Sequence, residues 1–317
     1  MCCSQWVSYE TGVSLLSADH VANKLTQKFR ENLCNSVAKN IMLSKIESLV
    51  EFAYENVPLY RRLYQKKPRI KSLADFKQLP YLTINDFVLC SIEDVLSNMG
   101  EAVSILPPLE NKTIFPFPRL ENAADRDSRY RVFYFLLDQA QALESPRTRG
   151  SASFLIITDT SHSYYCGEIA NNLLFYKHPT WMMLLRDHSA DEVRTWIDRF
   201  EPDCLLLGLD RIPDGVENWG VSRIFTVNQY DRDLSMDIRH FDIYAVTEAG
   251  WIGIRLPGSH YIYPEEYFFM EVNPADNIIT LTVLGNCPLQ PFIRYKTSDR
   301  GQIMGKNLFR VTYTGEH

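Results

Sequence analysis

The chain has no Cys-x-x-Cys pair and no excess of positive charge. It also lacks an apolar run of the roughly 18–20 residues that cross a bilayer. Each absence removes a class of protein. The seven cysteines (Cys2, Cys3, Cys34, Cys90, Cys166, Cys204 and Cys287) are odd in number and scattered. That pattern argues for reduced thiols and against a disulfide framework or a zinc knuckle. With 33 Lys and Arg against 39 Asp and Glu, the net charge is −6, so neither a nucleic-acid groove nor a membrane is the expected partner. Met1-Cys2-Cys3-Ser4-Gln5-Trp6 lacks the basic region and apolar stretch of a signal peptide, and a cytoplasmic location is expected. No internal repeat, low-complexity tract or flexible linker is visible.

What remains is an ordinary soluble composition, 45% hydrophobic and 23% charged over 317 residues, long enough for two or three subdomains. The first hundred residues read as helical. Ile46, Leu49, Val50, Ala53 and Tyr54 fall at helical spacing, and Pro58 limits that helix because it has no N–H and disfavours α geometry at Val57. Residues 105 to 150 are the least regular: prolines mark Leu106-Pro107-Pro108 and Phe115-Pro116-Phe117-Pro118, charged Arg119 to Arg129 follow, then an apolar block Val132 to Leu137.

From Ser151 the rhythm is α/β. Phe154-Leu155-Ile156-Ile157, Cys204-Leu205-Leu206-Leu207-Gly208 and Arg223-Ile224-Phe225-Thr226-Val227 read as buried strands. Ser189-Ala190-Asp191-Glu192 reads as a capping box ahead of a helix whose apolar face is Val193, Trp196, Ile197 and Phe200. From Trp251 the pattern is β-rich, with strands at Tyr267–Val272 and Ile278–Leu284 joined by a turn at Asn273–Asn277. The fold class expected is α/β: a parallel sheet, an N-terminal helical layer over 1–105, an α/β part over 106–250 and a β-rich part over 251–317.

Two short words stand about fifty residues apart: Tyr244-Ala245-Val246-Thr247-Glu248 and Arg294-Tyr295-Lys296-Thr297-Ser298-Asp299. In this order and spacing they resemble the Y-G-x-T-E and R-Y-R-T-G-D words of the ANL superfamily of adenylate-forming enzymes. Ala53-Tyr54-Glu55-Asn56-Val57-Pro58-Leu59-Tyr60 and Ser72-Leu73-Ala74-Asp75-Phe76, with Leu79-Pro80, resemble the N-terminal segment of its phenylacetate–CoA ligase-like members. The resemblance spans nearly the whole chain and implies the ANL large-domain fold over 1–317. It implies that Tyr244 and Ala245 line an adenine site, that Thr247 bonds the α-phosphate, that Glu248 faces Mg²⁺ and that Asp299 accepts from the ribose. Thr247 and Glu248 would be the catalytic pair. The tail from Leu308 resembles the start of the family hinge, which implies Arg310 among the nucleotide-binding residues, with Thr314 where the family has a second, ribose-gripping Arg.

The resemblance has departures. Glycines of the two words are replaced by Ala245 and Ser298, and a left-handed backbone at Ser298 would be costly. The Ser/Thr/Gly-rich phosphate loop, expected between about residues 110 and 130, is replaced by Phe115-Pro116-Phe117-Pro118-Arg119-Leu120, which has no glycine to wrap phosphate oxygens. The family's mobile C-terminal domain is expected to be absent. His260 matches a family histidine and reads as a structural residue, not a zinc ligand. Thr160–Ser163 and Asp187–Ser189 group Ser, His and Asp only in sequence, without a glycine-flanked nucleophile elbow.

The function implied is ATP- and Mg²⁺-dependent adenylation of an aromatic or heteroaromatic carboxylic acid. The acyl-AMP would pass to a separate acceptor protein or reductase, in secondary metabolism such as phenazine antibiotic assembly. A homodimer is among the assemblies considered. Two alternatives stay open: a non-catalytic module that binds nucleotide or acid, and an accessory subunit of a partner enzyme.

Overall fold

The computed structural model describes residues 18–106, 119–159, 163–185, 190–209, 215–229 and 239–313. The chain falls into two units, residues 1–44 and 45–317. The described part of the first, 18–44, is helical.

Helix α1 (Ala18–Asn56) stops where the proline signal places it. Val57 is extended, at φ −118 and ψ 114, and Pro58 opens α2 (Pro58–Tyr64), a position whose N–H would have no helical acceptor in any case. Ile46, Leu49, Val50 and Ala53 are buried, as their spacing predicts. Three short helices follow: α3 (Leu73–Lys77), α4 (Ile84–Val88) and α5 (Ile92–Val95). Each begins on Ser or Thr with Asp three residues on (Ser72 and Asp75, Thr83 and Asp86, Ser91 and Asp94). Those side chains satisfy the N–H groups that a helix start leaves open.

Strands β1 (Ser104–Leu106) and β2 (Arg119–Glu121) form an antiparallel pair. The charged stretch after them is regular, not irregular: it begins α6 (Ala123–Gln139). Asn122 caps it by accepting from the Asp125 N–H at 2.9 Å. The helical period is obscured because Arg129 lies on the buried face beside Val132, Phe133, Leu136 and Leu137.

The remaining strands form one eleven-stranded sheet. Its parallel part comprises β3 (Phe154–Thr158), β4 (Thr180–Leu184), β5 (Cys204–Gly208), β6 (Arg223–Val227) and β7 (Arg239–Val246). Helices α7 (Ser163–Phe175) and α8 (Ala190–Phe200) lie between its strands in sequence. Strands β3 and β5 are buried along their whole length, which is why they read as unbroken apolar runs. Helix α8 buries Val193 and Ile197; its expected cap, Ser189, lies outside the described residues.

The antiparallel part adds β8 (Gly250–Arg255), β9 (Tyr261–Ile262), β10 (Phe268–Val272), β11 (Ile278–Val283), β12 (Tyr295–Gly305) and β13 (Leu308–Tyr313). The order across the sheet is β10-β11-β12-β13-β9-β8-β7-β6-β5-β3-β4. The expected mixed α/β class is therefore present, with the parallel and β-rich regions continuous through β7. No helix among the described residues is long and apolar enough to cross a membrane.

Candidate functional site

The first word closes β7. Pairing of β7 with β8 shifts between Tyr244 and Ala245: Tyr244 faces Gly253 while Ala245 faces Trp251. One step on β7 thus meets two on β8, a bulge that re-aims the side chains beside it. The Ala245 backbone is clamped by Asn228, whose side-chain oxygen accepts from Ala245 N and whose amide donates to Ala245 O, each at 2.9 Å. Thr247 and Glu248 form the turn, both buried, and Gly250 opens β8 at φ +72, a conformation natural to glycine.

The second word begins with a clamp. Arg294 is 2% exposed; its Nε donates to Glu271 Oε2 at 3.0 Å and its Nη1 to Lys77 O at 2.6 Å and to Leu79 O. Its guanidinium lies 4.2 Å from the Tyr81 ring centroid. This arginine ties the segment after α3 to β10. The left-handed residue of the word is Arg294, at φ 50, while Ser298 and Ala245 keep negative φ. The strain expected at Ser298 does not arise. Beyond it, pairing with β11 is irregular: Thr280 faces Lys296 but Ile278 faces Arg300. The extra β12 residues around Thr297–Asp299 bulge out, and Thr297 Oγ1 ties them down by donating to Ile279 O at 2.9 Å and accepting from Asp299 N at 3.1 Å.

The two words meet. The Tyr244 hydroxyl donates to Asp299 Oδ2 at 2.6 Å, and the Tyr295 hydroxyl donates to Glu248 Oε1 at 2.6 Å. In a flat sheet, strands β7 and β12 would stand about 19 Å apart, four spacings of about 4.8 Å. Strand β9, between β8 and β13, is only two residues long. A Cβ on Gly253 would lie 3.0 Å from the Phe309 ring. The two words meet although three strands separate β7 from β12 in the sheet order.

Both tyrosines are held protonated. Burial, then the charge of Asp299, raises the Tyr244 hydroxyl well above its ordinary range. Burial and Glu248 do the same to Tyr295. The Tyr244 ring is fully buried, edge-on to Tyr261 at 5.9 Å and Phe309 at 5.4 Å. Beneath the site lies a polar knot that sequence reasoning missed. Asp242, wholly buried, accepts from Thr226 Oγ1 at 2.6 Å, from Gln229 N at 2.9 Å and from the Tyr261 hydroxyl. His240 Nε2 lies 2.8 Å from the same Thr226 hydroxyl. Burial raises the Asp242 carboxyl above the usual range. Alternation on β6 and β7 was the only signal for it.

Tyr244, Ala245, Thr247, Glu248 and Asp299 therefore share one region. Arg310 stands apart: it is exposed on β13, opposite Gln302 and not opposite Asp299. The expected phosphate-loop stretch before Arg119 lies outside the described residues, as do Ser161, His162, Asp187 and His188. The described part, 119–129, is strand and helix with no glycine. No cluster of three His, Cys, Asp or Glu able to hold a metal is found among the described residues. A magnesium ion bound through a substrate's phosphates needs only one or two carboxylates, a donor set that Glu248 fits.

No protein-family model and no curated protein matches this sequence. Solved structures do. The chain is similar to 2-hydroxyisobutyryl-CoA ligase in complex with 2-HIB-AMP and CoA in the thioesterification state, with a TM-score of 0.62 at 13% identity, over 87% of this chain and 67% of the ligase. An open conformation of the same ligase, also with 2-HIB-AMP and CoA, gives 0.61 at 14%, over 86% and 68%. At this identity the likeness shows the fold alone: the chain shares the fold of the matched part of this ligase.

Proposed function

We propose that this chain binds ATP and adenylates a carboxylic acid, of the aromatic or heteroaromatic class, and that the acyl-AMP goes to a separate acceptor protein or reductase. The observation that carries this reading is the meeting of the two words through the Tyr244–Asp299 and Tyr295–Glu248 hydrogen bonds. Asp299 is the proposed ribose acceptor. A carboxylate has about four lone-pair sites, so the Tyr244 bond and a ribose hydroxyl are compatible. Thr247 is the proposed α-phosphate donor. Glu248 is the proposed Mg²⁺ ligand, with Tyr295 holding its carboxylate in place; the metal would neutralise phosphate charge. The bulges at Ala245 and Asp299 support the reading, since such irregularities gather beside active sites. The aryl class, an antibiotic pathway and the division of the chain at 105 and 250 are parts of this proposal.

A second reading is favoured by one observation: both candidate carboxylates already accept from buried tyrosines, and no glycine lies between 119 and 129. Such a site suits a binding module without turnover. Pyrophosphate exchange with a panel of aryl acids, beside calorimetry with ATP·Mg²⁺, separates the two. Asp299→Ala is expected to weaken nucleotide binding by about 1.5–3 kcal/mol, a hydrogen bond to a charged group, or roughly 10- to 150-fold. Glu248→Gln is expected to leave affinity nearly intact and suppress exchange. ATP binding without exchange for any acid selects the binding module. Wild-type behaviour of both variants removes the site.

A further inference from the structure

Strand β4 ends the sheet, and among the described residues no strand pairs with its outer side. Its sequence is Thr180-Trp181-Met182-Met183-Leu184. Edge strands of folded proteins are commonly blunted by a charge, a proline or a bulge. Strand β4 has none of these: its register with β3 runs unbroken from Phe154 facing Thr180 to Thr158 facing Leu184. The opposite edge, β10, carries Glu271. Met182 and Leu184 are each 40% exposed. They share the face of Ile156, which α7 covers, and α7 ends in Leu174 and Phe175, 54% and 75% exposed.

The ladder decides which backbone groups are open. In a parallel pair each residue directs its N–H and C=O to one side, and successive residues alternate. Phe154 N donates to Pro179 O at 2.8 Å. That fixes the phase: Pro179, Trp181 and Met183 turn towards β3, while Thr180, Met182 and Leu184 turn their N–H and C=O outward. The N–H that Pro179 lacks is an inward one, so the outward row is complete. This row is also complementary to itself. Laid antiparallel on a second β4 with Met182 facing Met182, it sets Thr180 against Leu184 and Trp181 against Met183. Every outward-turned residue then meets another, and each such pair exchanges two hydrogen bonds. Opposed side chains share a face, so Trp181 meets Met183 in a sulfur–aromatic contact. No like charges are brought together. A shift by one residue would set outward groups against inward ones, and a larger shift shortens the row.

We propose that β4 is a homodimer edge: two copies of this chain join β4 to β4 about a two-fold axis at Met182, and the sheet continues from one copy into the other. A two-fold contact asks one surface to fit itself, which the phase and register of β4 satisfy. The inference does not rest on adenylation.

Sedimentation velocity of the full chain over a concentration series tests it. The wild-type chain is expected to be a dimer that dissociates on dilution. Met182→Lys and Met182→Glu each set like charges opposite one another at the axis and should weaken association by about tenfold or more. An equal mixture of the two should associate again, because Lys then faces Glu, and that recovery also shows that both variants fold. Met182→Pro removes an outward N–H, leaves the bonds to β3 in place and should give a monomer. A wild-type chain that stays monomeric overturns the proposal and leaves the edge to a foreign strand. A dimer that none of these substitutions weakens overturns it too, because association then uses another surface. So does a Lys and Glu mixture that stays monomeric while both variants melt as the wild type does.

Discussion

The two parts of the sheet are held together differently. The central parallel strands β3 and β5 bury Phe154, Leu155, Ile156, Ile157, Leu205, Leu206 and Leu207 at 1% exposure or less. They ask almost nothing of their side chains but volume. From β7 onward the interior also holds polar side chains: Asp242, Tyr244, Thr282, Thr297 and Asp299 are all inside. Each must find a partner there, because a buried polar group without one costs more than the bond itself gains. The parallel part is a scaffold that tolerates repacking. The region from β7 onward is a fitted network in which one lost partner strands another, and both motif words belong to it.

Breaking that network at a buried ion pair should have the largest effect. Arg294→Met leaves Glu271, whose side chain is 10% exposed, without its counter-ion. A loss of about 3–5 kcal/mol is expected, the usual result of removing one partner of a buried pair. Urea denaturation measures it; a loss near zero would show that Arg294 is not a clamp.

Tyr244→Phe comes next. It removes the hydroxyl from Asp299 and should cost about 1.5–3 kcal/mol. It also changes the alkaline limb. The folded-state pKa of Tyr244 lies above the ordinary 10.0, so above that pH the unfolded chain releases a proton that the folded chain retains. Stability therefore falls as pH rises past the ordinary value. The variant should fall less steeply than wild type in melts taken across that range. Parallel curves would mean that Asp299 and burial do not hold the Tyr244 proton.

The smallest effect belongs to the scaffold. Ile156→Val in β3 removes one methyl from a fully buried position and should cost about 0.5–1.5 kcal/mol. That loss should be the same at neutral and alkaline pH. A pH-dependent loss would break the contrast between the two parts.

Much of the scaffold was legible before folding. Strands β5 and β6 fall where their apolar runs predict, because a strand covered on both faces has no choice of side chain. The stop at Pro58 was legible for a covalent reason. Helix α6 was not: the inward-facing Arg129 breaks the pattern, and the Glu121 and Glu168 carboxylates that receive it make that burial tolerable. The two words were legible as words. Their contact was not, nor was the part played by Arg294, which opens the second word and serves as a clamp.

Local sequence thus determined much of the strand and helix pattern, since periodicity, caps and prolines act over a few residues. It also determined the chemistry on offer, two carboxylates and two tyrosines in short words. Only the tertiary structure decided which hydroxyl meets which carboxylate. That choice depends on two bulges and on the order of the strands, which bring Tyr244 to Asp299 and Tyr295 to Glu248. These are long-range consequences of register, and no window along the chain contains them.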